Sequence, residues 1–484
     1  MNILFRINAG RKYGLGHLIR NIYLSNELIN INFNTEFIIK TDDINFIREF
    51  LIEKKINLNV HYIKDSLSQK QDLSQIFKTA RLKKCKMVIL DHYEHNRKYL
   101  KSIKEKKLLL VNFDVSKNTN HISDLIINPN LGFTKKDYLT ISKKTSKLCI
   151  GNKYLIINPA LKKKKSKKRK KENILISFGG GQYPERIYNL IDKITNNKNL
   201  NFIVISSDIR VNSINKTNTK VYFGNLDYNK IYCSLQYAIV SGGVTSQELA
   251  YYNIPMLIYP YAKNHKKTMV GLIENNLAIR VYSNELLKLN NFKLPKLYPK
   301  VMIDNKGISR IVKKISEIFF STYSIEGDRI NLRPLEISDT KKIIKWRNDT
   351  EIKRWMNNQE SISKSSHLEW FNNRKKRFDF IIEEKTNKTS IGTVNIKLKS
   401  NSEAELGKLI GVTDFLGKGY AKESFKLLIN FAFDKLLLSR LFVITKKNNK
   451  KNINLNSKLG FKICKKAITN SDKLIKMYLI KNEK

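Results

Sequence analysis

Gly14-Leu15-Gly16-His17-Leu18-Ile19-Arg20 decides how this chain is read. It follows a short apolar run, Ile3-Leu4-Phe5-Arg6-Ile7, and leads into an amphipathic helical stretch. A glycine turn between strand and helix lets a ligand approach the backbone closely. The helix start offers unpaired N–H groups to an anion. One imidazole is delivered to the same spot, and histidine suits proton transfer at neutral pH. The combination points to chemistry on a nucleotide-linked substrate; a histidine that only caps the helix is the other reading.

Working outward, residues 1–160 alternate short apolar runs (3–7, 35–40, 86–90, 108–112 and 124–127) with helical stretches. That alternation predicts a parallel sheet with covering helices. Residues 161–171 form a dense basic run, predicted to be a solvated linker. The pattern restarts at 174–178, followed by Gly179-Gly180-Gly181, with strands expected at 202–206, 220–223, 237–240 and 255–259 and a closing helix at 308–320. This second lobe is assigned to 172–322. A third domain, 328–484, reads differently. Strand 329–333 precedes helices 338–349 and 364–373, then strands 378–383, 390–398 and 403–412. Helix 419–437, strand 440–445, helix 449–458 and strand 475–480 complete it. The expected class is α/β: two Rossmann-like lobes followed by an α+β domain.

Composition narrows the function classes. The chain has 484 residues, more than one core accommodates. Lys and Arg number 91 against 42 acids, a formal net charge of +49. The excess is spread along the chain, which favours compositional bias with an attraction for anionic substrates over a nucleic-acid partner. Cys85, Cys149, Cys233 and Cys464 show no metal-ligand or redox spacing, and their scatter fits a reducing compartment. No run approaches the ~18 apolar residues of a membrane span, and a cytoplasmic protein without integral membrane association is expected.

Two further motifs carry the chemistry of the first two lobes. Asp91-His92-Tyr93 ends the strand Met87–Leu90, at the sheet edge where open α/β folds bind ligands. Ser241-Gly242-Gly243-Val244-Thr245-Ser246-Gln247-Glu248 follows the strand 237–240 and opens a helix. Its glycines and Thr245 suit a diphosphate. Glu248 suits either a helix cap or ribose hydroxyls.

With these residues in hand, 1–320 resembles the UDP-sugar hydrolase family of pseudaminic acid biosynthesis, related to MurG-type glycosyltransferases of the GT-B fold. The matching pieces are Phe5-Arg6, Gly14-x-Gly16-His17-x-x-Arg20, Asp91-His92-Tyr93, Gly151-x-x-Tyr154, Phe178-Gly179-Gly180, Gly242-Gly243-x-Thr245-x-x-Glu248 and Asn264. The resemblance implies that His17 takes a proton from water as it attacks the anomeric carbon, with inversion. UDP would leave toward the second lobe without a metal. Gly14, Gly16, Arg20, Asp91, Gly242, Gly243, Thr245 and Glu248 would bind substrate, and Tyr93 and Asn264 would orient the sugar. Asn8 stands where the family more often has aspartate, and Asn112-Phe113-Asp114 where it has consecutive aspartates.

In the third domain, Gly411-Val-Thr-Asp-Phe-Leu-Gly417-Lys418-Gly419-Tyr420-Ala421 places a glycine turn between strand and helix, a pyrophosphate cradle. With Asn449, Leu459-Gly460-Phe461, the opening Arg329-x-x-Leu332-Arg333-Pro334-Leu335 and Trp346-Arg347-Asn348, residues 328–482 resemble the amino-sugar branch of the GNAT N-acetyltransferases. That resemblance implies acetyl-CoA as cosubstrate, held by Gly417, Lys418, Gly419, Tyr420, Ala421 and Asn449. Glu405 is a candidate base for the attacking amine; an exposed strand residue is the plainer reading. Leu416 replaces the usual Arg or Gln of the cradle. Asn456 replaces the tyrosine that commonly protonates the leaving thiolate, and asparagine supplies no proton. Joined, the two halves imply acetylation of a UDP-linked 4-amino sugar, then release of the 2,4-diacetamido sugar from UDP. A GT-B glycosyltransferase fused to an acetyltransferase, or a legionaminic acid hydrolase, are the alternatives.

Overall fold

The computed structural model describes residues 1–114, 122–142, 146–162, 173–179, 183–206, 208–222, 226–260, 266–289, 296–356, 358–374, 376–400, 402–464 and 473–481. Most of the basic run, Gly180, Gly181 and Asn264 lie outside them. The chain divides into two units, Met1–Ile315 and Ser316–Lys484.

The first unit holds two parallel sheets. One contains β1 (Asn2–Asn8), β2 (Asn34–Thr41), β3 (Asn59–Lys64), β4 (Cys85–Asp91), β5 (Leu109–Phe113), β6 (Leu125–Asn128) and β7 (Lys147–Ile150), ordered β3-β2-β1-β4-β5-β6-β7. The other contains β8 (Asn173–Ser177), β9 (Asn201–Ile205), β10 (Thr219–Tyr222), β11 (Leu235–Val240), β12 (Met256–Ile258) and β13 (Ala278–Arg280), ordered β10-β9-β8-β11-β12-β13. In each, the strand order reverses beside the first strand, the place where open α/β sheets take ligands. β1 and β4 are neighbours in parallel register, Arg6 opposite Leu90 and Ile7 opposite Asp91. The turn after β1 and the end of β4 therefore meet at one sheet edge.

Central strands such as β1 and β4 are buried almost end to end, as continuous apolar runs require. β3, β7 and β13 were not expected from the sequence. All three are edge strands. An edge strand needs few apolar residues, and β3 carries His61 and Lys64 among its six. The loop after β6 and the helix Lys266–Glu274 meet where backbone touches backbone. A Cβ on Gly271 would fall 2.1 Å from Gly132 N, and one on Gly132 would fall 2.4 Å from Lys267 O. Lys267–Asp137 (2.5 Å) and Gln247 Nε2 donating to Asn130 Oδ1 (2.8 Å) flank that contact.

The second unit is one sheet of β14 (Ile325–Glu326), β15 (Ile330–Pro334), β16 (Arg377–Glu384), β17 (Ser390–Leu398), β18 (Glu403–Ile410), β19 (Arg440–Lys446), β20 (Lys462–Ile463) and β21 (Leu474–Ile480). All neighbours are antiparallel except β18 and β19. The expected helix 419–437 is an α-helix over Tyr420–Asn430 that widens into a π-turn at Phe431–Lys435. Phe431 is the reason. Its ring is the hub of Phe320, Tyr323, Phe378 and Phe380, with centroids 5.3–6.3 Å away. The extra residue in the turn aims it there. The unit boundary falls inside the helix Gly307–Phe320, ahead of Asp328.

Candidate functional site

The first glycine turn closes on itself, with Gly14 N donating to Gly10 O at 2.8 Å. The helix Gly16–Ile29 starts next, with Leu15 at the cap position. His17 is thus in its first turn and is no side-chain cap. It is buried, and its Nδ1 lies 2.7 Å from Asp91 Oδ1 at the end of β4. Arg20, one turn on, grips the same carboxylate: Nε donates to Oδ2 at 2.6 Å and Nη2 donates to Oδ1. Arg20 Nη2 also lies 2.8 Å from Nδ1. Asn21 Nδ2 adds a third donor to Oδ2 at 2.5 Å. Burial works against the Asp91 charge, but Arg20 and His17 outweigh it and hold the carboxyl well below the usual carboxylate range. A proton on Nδ1 directed to Asp91 would leave the lone pair on Nε2, where a general base needs it. Arg20 and Asp91 were expected to bind substrate directly. In the structure they bind each other and orient the imidazole. Tyr93 is exposed, with its ring edge-on to His17 at 5.0 Å.

Beneath this cluster Arg6 is fully buried and pairs with Asp72 through Nε (2.7 Å) and Nη2 (2.9 Å). Asn8 Oδ1 accepts from Arg6 Nη1 at 2.7 Å, so an amide suffices at that position. Asn112 Nδ2 and His95 Nε2 are 3.1 Å apart. Burial, then Arg6, push the His92 imidazole well below its ordinary value and keep it neutral. Its Nε2 is buried without a partner among the described residues.

The second glycine turn comes alongside the first. A Cβ on Gly16 would stand 4.0 Å from Val244 Cγ2. Gly242 has φ +94°, and Gly243 caps the helix Val244–Tyr252, with Ser246 Oγ donating back to its carbonyl at 2.6 Å. Thr245 is half-buried in the first helical turn. Glu248 lies two residues beyond the position from which a side chain caps the helix. Nor does it stand open to a ribose: it is buried and accepts from the Tyr232 hydroxyl at 2.7 Å. Burial pushes its carboxyl up to about 7, against the Tyr232 hydroxyl and the Asn158 N–H, which favour the charged form.

In the second unit the glycine turn has left-handed backbone at Gly417 (φ +76°) and at Gly419 (φ +86°), which caps the helix Tyr420–Asn430. A Cβ on Gly417 would meet nothing within 4 Å, so the turn faces open space. Lys418 is exposed, and Tyr420 and Ala421 are half-buried in the first helical turn. Arg329 clamps the turn: Nη1 donates to Lys418 O at 3.1 Å, Nε to Glu423 Oε2 at 2.9 Å, and the guanidinium lies 4.5 Å from the Tyr420 ring centroid. Left-handed glycines ahead of a helix start are a backbone geometry that can accept a phosphate. Asn449 was expected to touch the cosubstrate; its Oδ1 instead caps the helix Lys450–Lys458, accepting from Asn452 N at 3.1 Å. Glu405 is gripped by Lys397 (2.8 Å) and Lys399 (2.9 Å). Burial opposes its charge, but the two ammoniums prevail and hold it below the ordinary range, which makes it a weak base.

One cavity-lining histidine was missed in the sequence. A cavity of about 450 Å³ opens between the β16–β18 face and the helix Lys364–Asn373, lined among others by Trp346, Arg347, His367, Trp370, Asp379 and Asn395. Arg347 Nε, His367 Nε2 and Asn395 Oδ1 are buried there without partners among the described residues. Burial, then Arg374 and Arg347, lower the His367 imidazole, with Asp379 opposing. The imidazole of His367 is therefore held neutral beside the cavity. Only Trp346-Arg347-Asn348 stood out in the sequence; His367 and Asn395 are distant in the chain and share no spacing.

Residues 329–462 match the acetyltransferase (GNAT) domain family. The second unit thus carries a GNAT acetyltransferase domain, and acetyl-CoA use follows from it. Among individual proteins, the chain is 26% identical over 500 residues to the uncharacterized protein MJ1062 of Methanocaldococcus jannaschii, covering 97% of this chain and 98% of that one. The uncharacterized N-acetyltransferase p20 of Bacillus licheniformis is 26% identical over 143 residues, 28% of this chain and 79% of p20. A spermidine N-acetyltransferase from Vibrio cholerae, solved with CoA and spermine, is 21% identical with a TM-score of 0.29, covering 32% of this chain and 96% of that chain. Among the described residues, no helix is long and apolar enough to cross a membrane, and no group of three or more His, Cys, Asp or Glu is placed to hold a metal ion.

Proposed function

We propose that this chain is a bifunctional nucleotide-sugar enzyme of nonulosonic acid biosynthesis. Its second unit acetylates the 4-amine of a UDP-linked amino sugar, and its first unit hydrolyses the diacetamido product from UDP. The observation that carries the hydrolase half is the imidazole of His17, oriented by Asp91 beside the helix that opens at Gly243. His17 Nε2 takes a proton from water as the oxygen attacks the anomeric carbon. UDP leaves with the bonding pair, held by the N–H groups at Gly243 and Val244. A diphosphate needs little protonation to depart, so no second carboxylic acid is required. Likeness to MJ1062 along the whole chain supports the pairing of the two units.

In the acetyltransferase half, the Trp346–Trp370 cavity takes the amino sugar, whose ring stacks on indole while its hydroxyls satisfy Arg347 and Asn395. The His367 imidazole accepts the amine proton. The test uses the UDP-linked 4-amino sugar and acetyl-CoA, following thiol release and free sugar separately. His17→Ala is expected to lower sugar release by about 10²–10⁴-fold while sparing thiol release. If both fall together, or neither changes, His17 is not the base.

A further inference from the structure

Asn456 leaves the acetyltransferase without a proton donor on the helix Lys450–Lys458, and the structure brings another group to that place. β18 and β19 pair only over Glu403–Glu405 and Arg440–Phe442. Beyond Glu405 the strands part. Leu406–Ile410 stays paired to β17 and presents its other edge to the gap. An extended amide-bearing arm adds to such an edge as a strand does. The glycine turn at 417–419 follows β18 in the chain.

Lys408 lies on this free stretch, on the face opposite the cavity-lining Leu409. Its Nζ donates to Asn456 Oδ1 at 2.5 Å and sits 3.9 Å from the centroid of Phe425. Asn456 is fully buried, and its Nδ2 touches Met477 Sδ at 3.9 Å, so Oδ1 is fixed. The ammonium thus spans from β18 to the helix after β19, just beyond the tip of the short asparagine side chain.

We propose that Lys408 is the proton donor to the departing thiolate of coenzyme A, supplying from β18 the proton that residue 456 cannot. This rests on the acetyltransferase activity of the unit and not on which amine it acetylates. The acceptor nitrogen bonds to the thioester carbon and the C–S bond breaks. Sulfur leaves with that electron pair and takes a proton from Nζ. The nitrogen's proton goes to the base on the cavity side, and Lys408 is reprotonated from water. Burial pushes the Lys408 ammonium down to about 7, below an ordinary thiol near 8.5, so transfer to sulfur runs downhill.

Two measurements on the full chain decide this. In a crystal structure with coenzyme A, Nζ is expected within hydrogen-bond reach of the sulfur; a different donor on the sulfur, or Nζ out of reach, overturns the proposal. With acetyl-CoA and the UDP-linked 4-amino sugar as probe, Lys408→Met should lower kcat by about 10²–10⁴-fold at unchanged KM for acetyl-CoA. Lys408→Arg, which keeps the charge but holds its proton too tightly, should fail as well. Adding Asn456→Tyr to Lys408→Met should restore at least tenfold. Wild-type kcat in Lys408→Met overturns the assignment. If the wild-type protein transfers nothing to that sugar, the acceptor named above is wrong, and the coenzyme A complex still decides Lys408.

Discussion

Asp91 is held by His17, Arg20 and Asn21, all on the first turns of one helix, so its part in stability can be separated from the part proposed for it in the reaction. Asp91→Ala strands the buried Arg20 guanidinium and should cost roughly 3–5 kcal/mol of unfolding free energy. His17→Ala leaves the Arg20–Asp91 pair intact, and denaturant titration should find it much closer to wild type. Glu248 gives a pH signature. Its folded value, about 7, lies above its ordinary value of 4.5, so the folded state holds a proton that the unfolded state has lost between those limits. Stability from this group therefore falls as pH rises from about 4.5 to 7. Glu248→Gln should flatten that slope and stabilise the protein by up to roughly 3 kcal/mol at pH 8, with little gain at pH 4; an unchanged slope would mean that Glu248 ionises freely. His17 and Asp91 were each legible in the sequence, one by its glycine turn and one by its strand end. Their hydrogen bond was not, because it joins residues 74 positions apart. Lys408 was equally hidden: a lysine in a strand of a lysine-rich chain carries no local mark.

At the scale of elements, the cradle at 417–421 depends on a clamp that comes from the far end of the unit's sequence. Arg329 holds the turn by one carbonyl, one carboxylate and one ring. Arg329→Ala should raise KM for acetyl-CoA several-fold and leave sugar release from a preformed diacetamido substrate untouched. Gly419→Trp should abolish thiol release alone, and normal acetylation in that variant would reject the cradle. Strand–glycine turn–helix units could be read ahead of the structure because left-handed backbone calls for glycine and buried strands call for apolar runs. Edge strands and the π-turn escaped because neither has a residue requirement of its own: β13 is three residues long, and the widened turn exists to place one phenylalanine in an aromatic cluster.

At the scale of the whole molecule, the division at Ile315/Ser316 predicts where the chain can be cut. Phe320 and Tyr323 pack on Phe431 within the second unit. A fragment starting at Ser316 should melt several degrees above one starting at Asp328, as each kcal/mol moves a domain of this size by roughly 2–8 °C. Equal melting temperatures would show that these aromatics add nothing to the unit.

The abutment of Gly132 and Gly271 has its own consequence. Two peptide planes face each other with no side chain between them, so the distance across the first unit is gauged by bare main chain. Such a gauge has no slack in the tight direction. Any methyl inserted there is a shim, and since the glycine bends at 14–16 and 242–243 ride on the parts it would push apart, the spacing between those bends is governed from a spot remote from both.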